Sequence, residues 1–294
     1  MRTSSSAIPV LLFCFITCHL NVFGQKIQGK LHFTPGKTLN VQMDLKSVVT
    51  QQAMNNAISF EVDGVALFNY KVLESDGVKT TLQHQGQNIS FQFNGMGQKH
   101  SFNSDDSSDL AGPFGDPIKN ILLKKYEMTI DNAGKVVYVD PRESDSIIAD
   151  ERTAIVLNMI KDIADLANPP QEGHASFFKI LPYNGVAIGE SWTDSSQNTN
   201  ESIKTIYTLS GSTDSTLIID FRSYSTIVSR TTLMGNEATT TLNGTGAGKI
   251  VIDKATGIIK EKSSVTETGG IMEAMGVTTP VNSKTTTMLR LKPQ

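Results

Sequence analysis

Cysteine is nearly missing from this chain of 294 residues: Cys14 and Cys18 are the only two. Both lie within residues 1–24, which read as a removable export signal, so the processed chain is expected to carry none. That excludes disulfides, thiol nucleophiles and thiolate metal sites together. Tryptophan occurs once, as Trp192, and aromatic residues make up 7% of the chain. A carbohydrate-cleaving site usually brings several aromatic platforms, so Trp192, after a glycine turn at a strand start, reads as a core anchor. Beyond the leader no apolar run approaches the roughly eighteen residues of a spanning helix. Charge of one sign is also lacking. The 26 basic and 29 acidic residues give a net charge of −3. Removing Arg2 with the leader makes this 25 minus 29, or −4. Lysines and acids are interspersed, so no basic face for nucleic acid or anionic lipid is expected.

The leader has three parts. Arg2 supplies the positive end, Ile8 to Leu20 the apolar stretch, and Val22-Phe23-Gly24 a cleavage site before Gln25. The chain is therefore expected in the periplasm, at the cell surface or outside the cell. A lipid-modified Cys18 is disfavoured, because Phe15-Ile16-Thr17 fits a lipobox poorly.

From Gly29 to Asp140 apolar residues alternate with polar ones. Examples are Leu39, Val41 and Met43, then Phe68, Tyr70 and Val72, then Ile89, Phe91 and Phe93. Turn pairs such as Pro35-Gly36, Asp63-Gly64 and Asp76-Gly77 separate the runs. Asp116-Pro117 followed by Ile118, Ile121 and Leu122 reads as one short helix. The alternation returns from Gly189 to Leu291, rich in threonine, which suits a half-exposed pleated surface. Three short matches in the same order suggest an internal repeat: Gly36 to Leu39 with Gly189 to Trp192, Tyr70 to Asp76 with Tyr207 to Asp214, and Met128 to Val137 with Ile250 to Ile259. The last is strand, aspartate, turn, glycine, strand. Between the halves, Asp140-Pro141-Arg142-Glu143 is a helix start. Ile148, Ile155, Met159, Ile163 and Leu166 follow at helical spacing, with Lys161 and Asp165 on the opposite face. Phe177, Phe178, Ile180 and Leu181 add a second apolar run.

The expected fold is thus α+β and mainly antiparallel β, with two similar β-meander units joined and covered by a central helical segment. The divisions are a signal peptide over 1–24, a first β unit over 25–140, a helical connector over 141–188 and a second β unit over 189–294. Residues 25–294 are expected to form one structural domain.

Catalytic signatures do not survive scrutiny. Gly244-Thr245-Gly246-Ala247-Gly248-Lys249 looks like a phosphate loop, but Asn243 replaces its first glycine and Ile250 its magnesium-binding hydroxyl. A strand rather than a helix follows it. His32, His84, His100 and His174 show no zinc-ligand spacing. Ser104-Asp105-Asp106-Ser107-Ser108-Asp109 lacks the glycine and closing glutamate of a calcium loop. Asp145, Asp150 and Glu151 sit where acids merely favour a helix start. No catalytic, cofactor-binding or metal-binding residue is therefore assigned, and no cofactor is expected.

Gly189-Glu190-Ser191-Trp192, Met128 to Val137 and Gly248 to Asp253 resemble an uncharacterised family of exported, Bacteroidota-type β-rich proteins. The family pattern has Val and Asp where this chain has Ile188 and Glu190. The resemblance implies no activity and no catalytic residues. The expected function is non-enzymatic, the binding of an apolar or extended ligand in a curved sheet. The alternatives are a hydrolase whose carboxylates only the fold assembles, and an envelope structural or interaction module. Expected partners are a small apolar ligand or an envelope protein, with no nucleic acid and no transmembrane segment.

Overall fold

A computed structural model describes residues 26–53, 56–95, 97–140, 156–233 and 236–293. The leader, the helix start at 141–143, and Ile148, Ile155, Asp145, Asp150 and Glu151 lie outside these residues. Twelve strands run in chain order. They are β1 (Thr38–Ala53), β2 (Asn56–Ser75), β3 (Lys79–Gly95), β4 (Gln98–Asn103), β5 (Tyr126–Asp131), β6 (Val136–Asp140), β7 (Ser191–Gln197), β8 (Glu201–Ser212), β9 (Thr216–Leu233), β10 (Asn236–Asp253), β11 (Ile259–Ala274) and β12 (Val277–Pro293). The helices are short: α1 (Ser107–Leu110), α2 (Gly115–Leu123) and α3 (Lys161–Ala167), with residues 156–159 also helical.

All strands join one antiparallel sheet in the order β6-β5-β3-β2-β1-β12-β11-β10-β9-β8-β7, with β4 also on β3. This overturns the expected α+β architecture of two units under a central helix. Strand accounts for 64% of the described residues and helix for 10%. The last strand returns to pair with the first from Leu39↔Pro293 to Gln51↔Val281, so both halves of the chain share one sheet. Period-two alternation identified strands but not their partners, and this closing pair is the least local of all. The helical connector fails for a local reason. Pro169, Pro170 and Pro182 break it, and Gly173 and Gly185 adopt φ of 81° and 76°, which only glycine holds without strain. Residues 168–188 are turns and loop instead.

Those loop residues close one end of the sheet. Ile27 and Val186 form a bridge. Leu31 N donates to Asn132 O and His32 N to Thr256 O, each at 2.8 Å. Asn132 lies in the β5–β6 turn and Thr256 in the β10–β11 turn. In a flat sheet, β5 and β11 would stand five strands apart, about 24 Å. Adjacent residues, whose Cα atoms are about 4 Å apart, reach both turns. The sheet therefore curls, bringing its distant turns onto one segment. Phe178 fills the closed end, edge-on to Phe33 at 5.3 Å and to Tyr70 at 5.2 Å. Leu39, Val41, Phe68, Tyr70, Leu209, Ile219, Ile250 and Leu291 line the core there. Burying each large apolar side chain contributes about 1.5–3 kcal/mol.

Candidate binding chamber

Away from the plugged end, the inner face changes character. Successive strands bring Ser47, Thr285, Thr266, Gly246, Ser223, Thr205 and Asp194 into one register row. One row nearer the plug lie Leu45, Thr287, Ser264, Gly248, Phe221, Tyr207 and Trp192. Some hydroxyls satisfy each other: Ser47 with Thr285 at 3.1 Å and Thr268 with Ser283 at 2.7 Å. The side-chain hydroxyls of half-buried Ser223, Ser225 and Thr266 make no hydrogen bond to the described residues. The false phosphate loop is the middle of β10, and its glycines admit these neighbours. A Cβ on Gly246 would collide with Ser223 Oγ, and one on Gly244 with Ser225 Oγ.

Opposite this wall stands α3, whose two sides explain its placement. Ile163 is buried, its Cδ1 3.5 Å from where a Cβ on Gly64 of β2 would stand. The other side carries Lys161, ion-paired to Asp165, and Asp162. Asp162 reaches solvent, yet protein surrounds it at longer range. That burial raises its pKa, Asp165 and Glu201 add to the rise, and Lys161 and Lys262 oppose it. Lys262, on the inner face of β11, sits 5.4 Å over the Phe221 ring. Burial lowers its pKa, and Asp162 opposes the shift. Lys161 also feels Glu201 of β8. One seven-residue helix thus touches β2 and communicates with β8 and β11, which requires the curl. Its polar flank is coupled electrostatically to Lys262 and Glu201, on two of the strands that carry the hydroxyl row.

Aromatic rings step along the row below. Trp192 stacks on Tyr207 at 5.4 Å, and Tyr207 lies 6.1 Å from Phe221. Trp192 Nε1 donates to Ile180 O at 3.2 Å, tying β7 to the plug. Burial and the nearby Asp194 raise the Tyr207 phenol, with Thr205 partly offsetting them.

The outward face offers a different surface. A groove of about 580 Å³ crosses β12, β1, β2, β3 and β4, and a second of about 300 Å³ lies beside it. Most of its charged groups are already matched. Arg290 binds Asp44 at 2.7 Å, and Lys46 pairs with Glu61 and Asp63. Among the described helices none is long and apolar enough to cross a membrane.

The sequence candidates scatter. His84 lies in β3 and His100 in β4 opposite Phe93, nine residues further along β3 than His84, about 30 Å away. His32 and His174 belong to the plugged end. In the acidic run Asp106 caps α1 through Ser108 N, and Asp109 accepts from Asn103 N. Among the described residues no His, Cys, Asp and Glu side chains group for a metal ion. No local signal pointed to Asp162, Lys262, Ser223 or Thr266; strand register and the curl of the sheet bring them together.

The profile of a family of unknown function, DUF6263, matches residues 171–259. These residues run from the plug through β7, β8, β9 and β10 to the β10–β11 turn. No curated protein matches the chain. Among solved structures it is similar to one described as lipid–protein interactions in lipovitellin, at 12% identity, 90% coverage of this chain and a TM-score of 0.44. It spans 26% of that chain. It is also similar to the COG4313 outer membrane channel from Pseudomonas putida F1, at 7% identity, 90% coverage of this chain, 98% of that one and a TM-score of 0.26. Both likenesses are too distant to carry a fold or a function.

Proposed function

We propose that this is an exported, non-enzymatic binding protein that holds an extended ligand in the polar half of its curled sheet. The observation that carries the reading is the register row on which the hydroxyls of Ser223 and Thr266 flank Gly246, with that of Ser225 one row away, none of them bonded to the described residues. The lining supports the extended ligand over the apolar one. The apolar end of the concavity is already occupied by Phe33, Phe178 and Tyr70, which leaves no room there for an apolar ligand. The export half of the reading rests on residues 1–24.

Native mass spectrometry of the full chain, purified from a cell envelope, tests the ligand half. A retained non-covalent adduct is expected, and it should be lost in Thr266→Trp, which projects an indole from the hydroxyl wall. Absence of any adduct, or its persistence in a folded Thr266→Trp or Ser223→Tyr variant, would overturn the reading. One observation favours a second reading, a hydrolase: Asp162, with its raised pKa, lies near Lys262, with its lowered one. Turnover of a glycan or ester substrate that disappears in Asp162→Asn would establish that reading instead.

A further inference from the structure

The chemistry of the chamber wall narrows the ligand class, on the assumption that the chamber binds a ligand at all. The inner strands β8 to β12 spend their backbone amides and carbonyls on sheet pairing, strand against strand. An extended peptide is usually recognised through main-chain hydrogen bonds at a free sheet edge, and this face has none to give. It presents side chains instead. Ser223, Ser225 and Thr266 each offer one donor and two acceptor positions, and none is committed to the described residues. The Asp194 carboxylate lies in the same row as Ser223 and Thr266. One row away, the Trp192–Tyr207 stack and Phe221 add apolar ring surface. Hydroxyls that both donate and accept, set beside aromatic rings, match a ligand whose edges are hydroxyls and whose faces are C–H.

Charge narrows it again. Lys161 senses Asp162, Asp165 and Glu201, Lys262 senses Asp162, and a fourth carboxylate, Asp194, lies near Tyr207. Lys161 is already paired with Asp165, and Lys262 is balanced by Asp162 across the chamber. Among the described residues the carboxylates outnumber these cations, and the surplus would repel an acidic polymer. The outward grooves are a separate surface, on which Lys46 pairs with Glu61 and Asp63 and Arg290 with Asp44.

We infer that the chamber binds a linear, uncharged glycan, laid across the hydroxyl rows of β8 to β12 with the rings of Tyr207 and Trp192 beneath one end.

Isothermal titration calorimetry of the full chain tests this against maltohexaose, cellohexaose, xylohexaose and chitohexaose. At least one should bind with Kd below about 1 mM, roughly −4 kcal/mol. Ser223→Ala/Ser225→Ala should weaken that binding about tenfold, as expected for two lost hydrogen bonds of about 1 kcal/mol or less each. Both changes are small polar-to-apolar ones on strand positions, so folding should survive, and circular dichroism verifies it. No measurable heat with all four glycans, or binding indifferent to the double variant, would overturn the glycan assignment. The mass-spectrometric experiment separates the two claims. A lipid or peptide adduct lost in Thr266→Trp keeps the chamber and removes the glycan. No adduct and no glycan heat removes both.

Discussion

His84 is fully enclosed, and neither of its ring nitrogens makes a well-aligned hydrogen bond to the described residues, although the Lys124 backbone lies near. Its neighbours are rings: Phe68 at 5.5 Å, Tyr70 at 4.9 Å and Tyr126 at 4.6 Å. Burial penalises the charged imidazolium and pushes its pKa from 6.5 down to about 4, with the Lys124 backbone opposing weakly. The same burial pushes the Tyr70 phenol up to about 12. An unfolded chain therefore binds the His84 proton already near pH 6.5, while the folded chain resists it until about pH 4. Between those values the unfolded state holds more protons, so stability falls as pH falls. The loss between pH 7.5 and 4.5 comes to about 2–3 kcal/mol. His84→Phe keeps the ring stacking and removes the proton. Urea unfolding at the two pH values should show that part of the loss vanish in the variant. An unchanged pH slope would mean that His84 finds a partner when charged.

At the scale of elements, sequence reading succeeded at some turns and failed at others: Asp63-Gly64, expected as a turn, lies inside β2, whereas the two aspartate-led hairpins formed. Asp131 accepts from Ala133 N and Lys135 N, and Asp253 from Ala255 N and from Thr256 N and Oγ1. For Asp253 burial favours the neutral acid, but these bonds outweigh it and lower the pKa. Such turns are legible because their chemistry is local: an aspartate facing amides two to four residues on, and a glycine at positive φ. What surrounds a turn is not local. Gly77 and Gly257 both adopt positive φ, 82° and 72°. A Cβ on Gly77 would meet open space, whereas one on Gly257 would run into the Lys30 carbonyl. Gly77→Ala should therefore cost only the conformational strain, about 1 kcal/mol. Gly257→Ala should cost clearly more, about 2–4 kcal/mol, because it also pushes the plug off the β10–β11 turn. Equal midpoint shifts in urea would show that the plug does not rest on that turn. The same distinction explains the failed helix. The stripe from Met159 to Leu166 was legible and its core-facing residue, Ile163, is buried. Phe177 to Leu181 lacked helical continuity and became the plug. The chamber left no local trace, because Thr205, Ser223, Gly246 and Thr266 sit on four different strands.

At the scale of the molecule, the β1–β12 pairing decides how the chain unfolds. Two units joined by a connector would each hold a core and could melt apart. Here the two halves share thirteen paired positions, from Leu39↔Pro293 to Gln51↔Val281. They also share the plug, since Leu31 and His32 bond to a turn of each half. Phe178 is fully buried, and around it Phe33 and Tyr70 come from the first half while Ile180, one residue beyond its neighbour, receives Trp192 from the second. Removing that ring leaves a cavity both halves must bear, so Phe178→Ala should cost about 3–5 kcal/mol. The loss should register equally on either side. Trp192 fluorescence reports the second half, and amide exchange of β2 and β3 reports the first. The two should give coincident transitions in the wild type, and Phe178→Ala should shift both to the same lower midpoint. A variant in which Trp192 melts early while β2 and β3 keep their protection would mean that the closing strand pair holds two separable folding units side by side.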